Sequence, residues 1–357
     1  MHEENEDQEE YDETEDGEEG DDSAPPSETK PVIAAADFFP DGKSLLTAGW
    51  DGVLAEWEAD TGQRLRTLLD PKAAEDTNPK VTVTEDGREV EPPFHLLRLS
   101  EYQRGSSLPS VRFSPDGKLF AVGAMNGYVV IWNAWSRGEI GYFQPHYGGI
   151  AALAFSRGNR RLATGSREWG GTTLRVWRMP RRPEEEFREV FSDRKHAAGV
   201  RHLQFSPNGR FLAASGVPLS SYTVPLVFAV RTGRQKAQLE WDMSWAVEFS
   251  PSGRLLATGS DLGSVKIWKW NREQLIREIR AHKNMVRTLV FSSDGRILVS
   301  GGTDGAVRAW EVRTGSLIRE FAIPGRVLAC RFFENGRVLR AVAASEESDH
   351  PEVRRLL

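Results

Sequence analysis

One cysteine, Cys330, stands in a chain of 357 residues, which excludes an internal disulfide framework and favours a reducing compartment. No stretch approaches the apolar length that crosses a bilayer, and the acidic start has no apolar run behind basic residues, so a secretory signal is not expected. Also missing are GxxxxGK, GxGxxG, HExxH and GxSxG, the patterns of phosphate cradles, dinucleotide sites, zinc proteases and serine hydrolases. Without a cysteine pair there is no thiolate zinc site. The expectation is a soluble, cytoplasmic protein with no cofactor and no metal.

What the chain has is repetition. From Ala281 onward it reads as four short strands joined by tight turns. Val286, Thr288 and Val290 alternate with Arg287, Leu289 and Phe291, as in a strand buried on at least one face. Ser292 to Gly295 supply a turn, Ile297 to Ser300 a second apolar run, and Gly301 to Gly305 another turn. Val307 to Trp310 and Leu317 to Phe321 complete the unit, with Thr314-Gly315 between them. A lone four-stranded sheet leaves both faces uncovered, so copies must stack.

The aromatic-plus-turn signature recurs as FFPDG from Phe38, FSPDG from Phe113, FSRGN from Phe155, FSPNG from Phe205, FSPSG from Phe249, FSSDG from Phe291 and FFENG from Phe332. Apart from the first interval of 75 residues the spacing is 41 to 50, the period of a β-propeller. The fold class is therefore all-β, a propeller expected to have seven four-stranded blades, with six and a remnant, or eight including the insertion, as the alternatives.

Over residues 31–357 the chain resembles the WD40-repeat family. The resemblance implies a hydrogen-bonded set of His, Ser or Thr, Asp and Trp in each unit, matched in full by His282, Ser300, Asp304 and Trp310. Burial gives such a set its reason, since a desolvated indole, imidazole and carboxylate each need a partner. Other units keep parts of it: Thr47, Asp51 and Trp57; Asn126 and Trp132; His146, Thr164 and Trp177; His196 with Phe228; Thr258 and Trp268 with Leu262 in the Asp position. His146, His196 and His282 each lie nine residues before the strand-closing Phe, a regularity that marks them as structural.

Residues 1–30 hold 15 Asp or Glu against one basic residue, Lys30, and are expected to be a disordered tail. DETEDG at 12–17 departs from a calcium loop at Thr14 and Ser23. The tail's charge of −14 within a total of −6 leaves +8 on the propeller. Arginine is densest in residues 175–196, which read either as a solvated outer strand with Glu184 to Glu186 or as a patch for phosphate or an acidic partner, over which the tail could fold back. Residues 70–109 form an insertion between the first two blades, with a hairpin expected about Asp86-Gly87. The last unit is short of a fourth strand, and the resemblance implies that a segment before the first repeat, near Ser27 to Pro31, completes it. Its prolines make that segment a poor strand former.

Function is expected to be binding without catalysis, by a scaffold that takes proteins or peptides on its loop face. The resemblance implies contact by the residue before each turn Asp: Trp50, Met125, Thr303 and, at the matching place, Asp261. Trp169 and Tyr222 are expected on the same face. The ordinary alternative for each is packing or loop exposure. A nucleic-acid or ribonucleoprotein-associated module using the basic body is the second reading, and a propeller enzyme with an acid or base at the channel mouth is the third.

Overall fold

The computed structural model describes residues 33–70, 82–83, 89–90, 107–166, 173–182, 185–193, 199–216, 224–239, 243–345 and 350–356. Among these described residues, six four-stranded antiparallel sheets and a final three-stranded one follow each other along the chain. Blade 1 runs Ile33–Phe38, Ser44–Gly49, Leu54–Glu58 and Arg64–Leu69. The first strands of blades 2 to 7 are Ser110–Phe113, Ile150–Phe155, Val200–Phe205, Ser244–Phe249, Val286–Phe291 and Arg326–Phe333. Each first strand touches the next and the seventh touches the first, so the sheets close into a seven-bladed propeller around an axial channel. No helix of the described residues is long and apolar enough to cross a membrane.

The recurring Phe-Ser-x-x-Gly turns explain the regular geometry. Ser292 Oγ accepts from Ile297 N at 2.9 Å, and the equivalent serines 114, 156, 206 and 250 do the same for the residue five positions on. The closing glycine takes a positive φ, +70° at Gly295, which a side chain would strain.

The strict alternation expected in the inner strand fails at one place. Val286 pairs with Gly302 and Thr288 with Gly301, so a bulge at Arg287 shifts the phase. Val286, Leu289 and Phe291 are then buried together, while Arg287, Thr288 and Val290 face the channel side. The same shift recurs in blades 1, 3, 4, 5 and 7. An extra residue re-aims the side chains before it, and in these six blades it turns one position toward the axis.

Among the described residues there are seven core clusters, one at each blade boundary. The boundary between blades 7 and 1 packs Phe38, Trp57, Ala329, Phe333 and Val342 like the others. It is reinforced by Arg340, which donates to Ala59 O at 3.1 Å and meets Asp60 at 2.7 Å. Glu352–Arg355 supplies the third strand of blade 7. The expected completing segment near Ser27 to Pro31, and the tail before it, lie outside the described residues. The hairpin in the insertion is present, with Thr82 opposite Val90 and Val83 opposite Glu89; the rest of residues 71–106 is outside the described residues.

Candidate functional site: a loop-face groove and the channel mouth

In blade 6 the four matched side chains form one hydrogen-bonded chain. Trp310 Nε1 donates to Ser300 Oγ at 2.9 Å, Ser300 Oγ lies 2.8 Å from His282 Nε2, and His282 Nδ1 lies 2.8 Å from Asp304 Oδ1. Assigned from that network, the imidazole is neutral, accepting from Ser300 and donating to Asp304. Arg308 Nη1 and Lys283 N donate to the other carboxylate oxygen at 3.0 and 3.2 Å. Burial pulls the His282 value down, against the pull of Asp304. Burial opposes the shift of Asp304, yet hydrogen bonds from Arg308 and His282 hold it below its ordinary range. The indole-to-hydroxyl bond recurs as Trp57 to Thr47, Trp177 to Thr164 and Trp268 to Thr258.

This set pins the turn after the second strand to the connector before the first. Thr303 N donates to Met285 O at 2.9 Å, Asp261 N to Met243 O at 3.0 Å and Met125 N to Ser107 O at 3.0 Å. Gly263, at φ +83°, comes so close to the connector that a Cβ there would sit 2.1 Å from His282 O. Turn and connector together make the wall of a groove of about 1190 Å³ across blades 5, 6 and 7.

Asp261 and Thr303 line that groove together with Leu262, Met285, Ile323 and Pro324. Leu262, which stands where blade 6 has Asp304, is 81% exposed. Lys283, Arg287, Arg326 and Arg354 supply positive charge. Of the acidic groups, Asp304 is engaged by His282 and Arg308. Trp50 lies elsewhere, at the wall of the axial channel, where Ser107 Oγ donates to its carbonyl. Met125 packs on the backbone of Gly149 at the step between blades 2 and 3. Trp169 and Tyr222 lie outside the described residues. Of the four described contact positions, Asp261 and Thr303 share this groove.

The described part of the arginine-rich stretch includes the third and fourth strands of blade 3, between which Arg175 Nη1 meets Glu189 Oε2 at 3.1 Å. The channel holds groups that sequence reasoning did not single out. Its wall, one residue before each strand-closing Phe, carries Asp37, Arg112, Ala154, Gln204, Glu248, Val290 and Arg331 in ring order. That offset from the Phe is the signal that could have found them. Arg112 Nη2 lies 3.3 Å from His202 Nε2, and Arg331 Nη1 lies 3.6 Å from Asp37 Oδ1. Gln204 Nε2 donates to Glu248, and Phe249 N donates to Gln204. Burial, with Arg112 adding to it, pushes His202 down to about 3. Burial pushes Glu248 up to about 8, despite Arg112 and Arg331. Among the described residues there is no group of three His, Cys, Asp or Glu placed to hold a metal ion.

The profile of the WD domain, G-beta repeat family matches residues 26–58, 99–133, 138–178, 187–220, 241–269 and 273–311. These six ranges stop short of blade 7, which folds as a blade without the third-strand Trp. The chain is similar to "Pre-mRNA-processing factor 17" of Homo sapiens, 23% identical over 247 residues, 68% of this chain and 36% of that protein. It is 32% identical over 190 residues to "Periodic tryptophan protein 2 homolog" of Dictyostelium discoideum, 52% of this chain and 20% of that protein. To "U3 small nucleolar RNA-interacting protein 2" of Homo sapiens it is 27% identical over 123 residues, 34% of this chain and 21% of that protein. The chain thus spans about a third or less of the length of these curated relatives.

Proposed function

Because the chain belongs to the WD40-repeat family, we propose that it is a non-catalytic scaffold whose loop-face groove across blades 5 to 7 takes an acidic peptide segment with an apolar anchor. The observation that carries this reading is Leu262. A leucine 81% exposed, on a turn fixed by its neighbouring blade and flanked by Lys283, Arg287 and Arg326, is a preformed apolar anchor in a basic rim. A rigid backbone lowers the ordering cost of binding, and positive charge at the rim steers acidic partners. The names of the relatives, two of them processing or RNA-interacting factors, favour an assembly that handles RNA. In that assembly the chain would act through proteins, with contact to nucleic acid by its basic body as the second reading. The lone Cys330, buried in the propeller, fits a cytoplasmic setting.

Selecting from a displayed random peptide library against the full chain, with counter-selection on Leu262→Asp, tests the proposal. Enrichment of sequences with Asp or Glu around a large apolar residue is expected. Absence of enrichment, or peptides that bind the variant equally, would overturn it.

A further inference from the structure

The axial channel, about 410 Å³, has more positive than negative charge on its wall. Asp37 is committed: its Oδ1 accepts from Phe38 N at 2.9 Å and its Oδ2 from Phe113 N at 2.8 Å, with Arg331 alongside Oδ1. Arg112 points a nitrogen at an imidazole rather than at a carboxylate. Arg201 stacks on Trp245 with 4.3 Å to the ring centroid, and Arg326 Nη2 donates to Ile33 O at 3.1 Å. Arginines gathered on low-dielectric walls with few carboxylates focus a positive potential along the bore.

We propose that the channel binds a small multivalent oxyanion, with its charged oxygens between the guanidiniums of Arg112 and Arg331 and its entry through the mouth bearing Arg201, Arg287 and Arg326. Planar guanidiniums suit bidentate contact with phosphate or carboxylate oxygens, and the volume falls in the usual range for a small-ligand pocket. The site is centred on Arg112 and Arg331, outside the peptide groove, and shares Arg287 and Arg326 with it.

Glu248 decides when the site is open. On its own blade it faces the axis; Gln204 and His202 flank it from blade 4, Val290 and Arg287 from blade 6, and Asp37, Arg112 and Arg331 face the same bore from blades 1, 2 and 7. At neutral pH the carboxyl holds its proton, since burial places its titration near 8. Gln204 and the protonated acid then present neutral polar groups to an incoming anion. Above that value Glu248 becomes a fixed carboxylate beside the same two arginines, replacing the ligand. Affinity therefore falls as pH rises through 8.

The test is titration calorimetry of the full chain with cyclic trimetaphosphate, whose charge is constant over the range, at pH 7 and pH 9. The wild-type chain should bind at pH 7, with affinity falling about tenfold at one pH unit above the Glu248 value. Arg112→Gln should lose about tenfold or more at pH 7 while keeping its far-ultraviolet spectrum, and Glu248→Gln should bind at pH 9 as the wild type does at pH 7. Citrate, run in parallel, separates carboxylate from phosphate recognition. No heat with either probe overturns the proposal. So does equal binding by folded Arg112→Gln, or pH 9 binding of Glu248→Gln as weak as that of the wild type. Binding abolished by Lys283→Glu and kept by Arg112→Gln would put the anion in the groove and overturn it as well.

Discussion

Arg137, in the turn after the third strand of blade 2, reaches Glu56 on the third strand of blade 1 through Nε at 2.9 Å and Nη2 at 2.6 Å. The carboxylate is 2% exposed and also accepts from Ser44 Oγ at 3.3 Å, while the guanidinium lies 4.4 Å from the Phe39 ring centroid. This bond crosses the one boundary where residues 70–109 interrupt the period, so the ring is tied across the insertion. Arg66 Nε also lies 3.3 Å from the carboxylate, so without Arg137 the buried charge keeps one half-exposed partner. Arg137→Met is expected to lower stability by about 1–3 kcal/mol, and adding Glu56→Leu to restore part of it. Urea denaturation of both variants checks this; a double variant no more stable than Arg137→Met would contradict it.

His282 titrates below its ordinary value of 6.5 in the folded chain, because burial outweighs Asp304. Below that value the unfolded chain takes up the proton that the folded chain refuses, so this contribution is whole above 6.5 and is lost as pH falls. His282→Gln keeps a donor and an acceptor but cannot be protonated there. Its melting temperature should fall less than that of the wild type between pH 7 and pH 5. Parallel curves would show that the imidazole does not carry the acid sensitivity.

Two glycines separate conformational strain from collision. Gly209 has φ +66° with open space around its missing Cβ, whereas Gly263 has φ +83° and the His282 carbonyl in the way. Gly209→Ala should cost about 1–2 kcal/mol, the left-handed penalty alone. Gly263→Ala should cost more than that and loosen the groove wall. Equal melting temperatures for the two variants would mean that the turn and connector are not held together as described.

The ring was readable because each Phe-Ser-x-x-Gly turn is a local device: a serine oxygen and a glycine at positive φ suffice to make it, as at Ser292 and Gly295. The hydrogen-bonded set of blade 6 was readable for a related reason, since its members lie within one unit. The channel cluster was not. Arg112 meets His202 from two blades away, and in six of the seven inner strands a bulge shifts which positions face the axis. Nor was the groove, whose members Asp261 and Thr303 approach through the packing of blade 5 on blade 6, while Trp50, at the same place in its own unit, faces the channel. Repetition along a chain gives the unit; the angle between units decides which side chains converge.

Affinity purification from cell extract over a series of salt concentrations, with the full chain beside Leu262→Asp/Lys283→Glu, tests the scaffold account most directly. Both positions are exposed, so the variant should fold as the wild type does. Protein partners should be retained by the wild type across the series and lost with the variant. Nucleic acid as the main species captured, falling steeply with salt and captured equally by the variant, would contradict it.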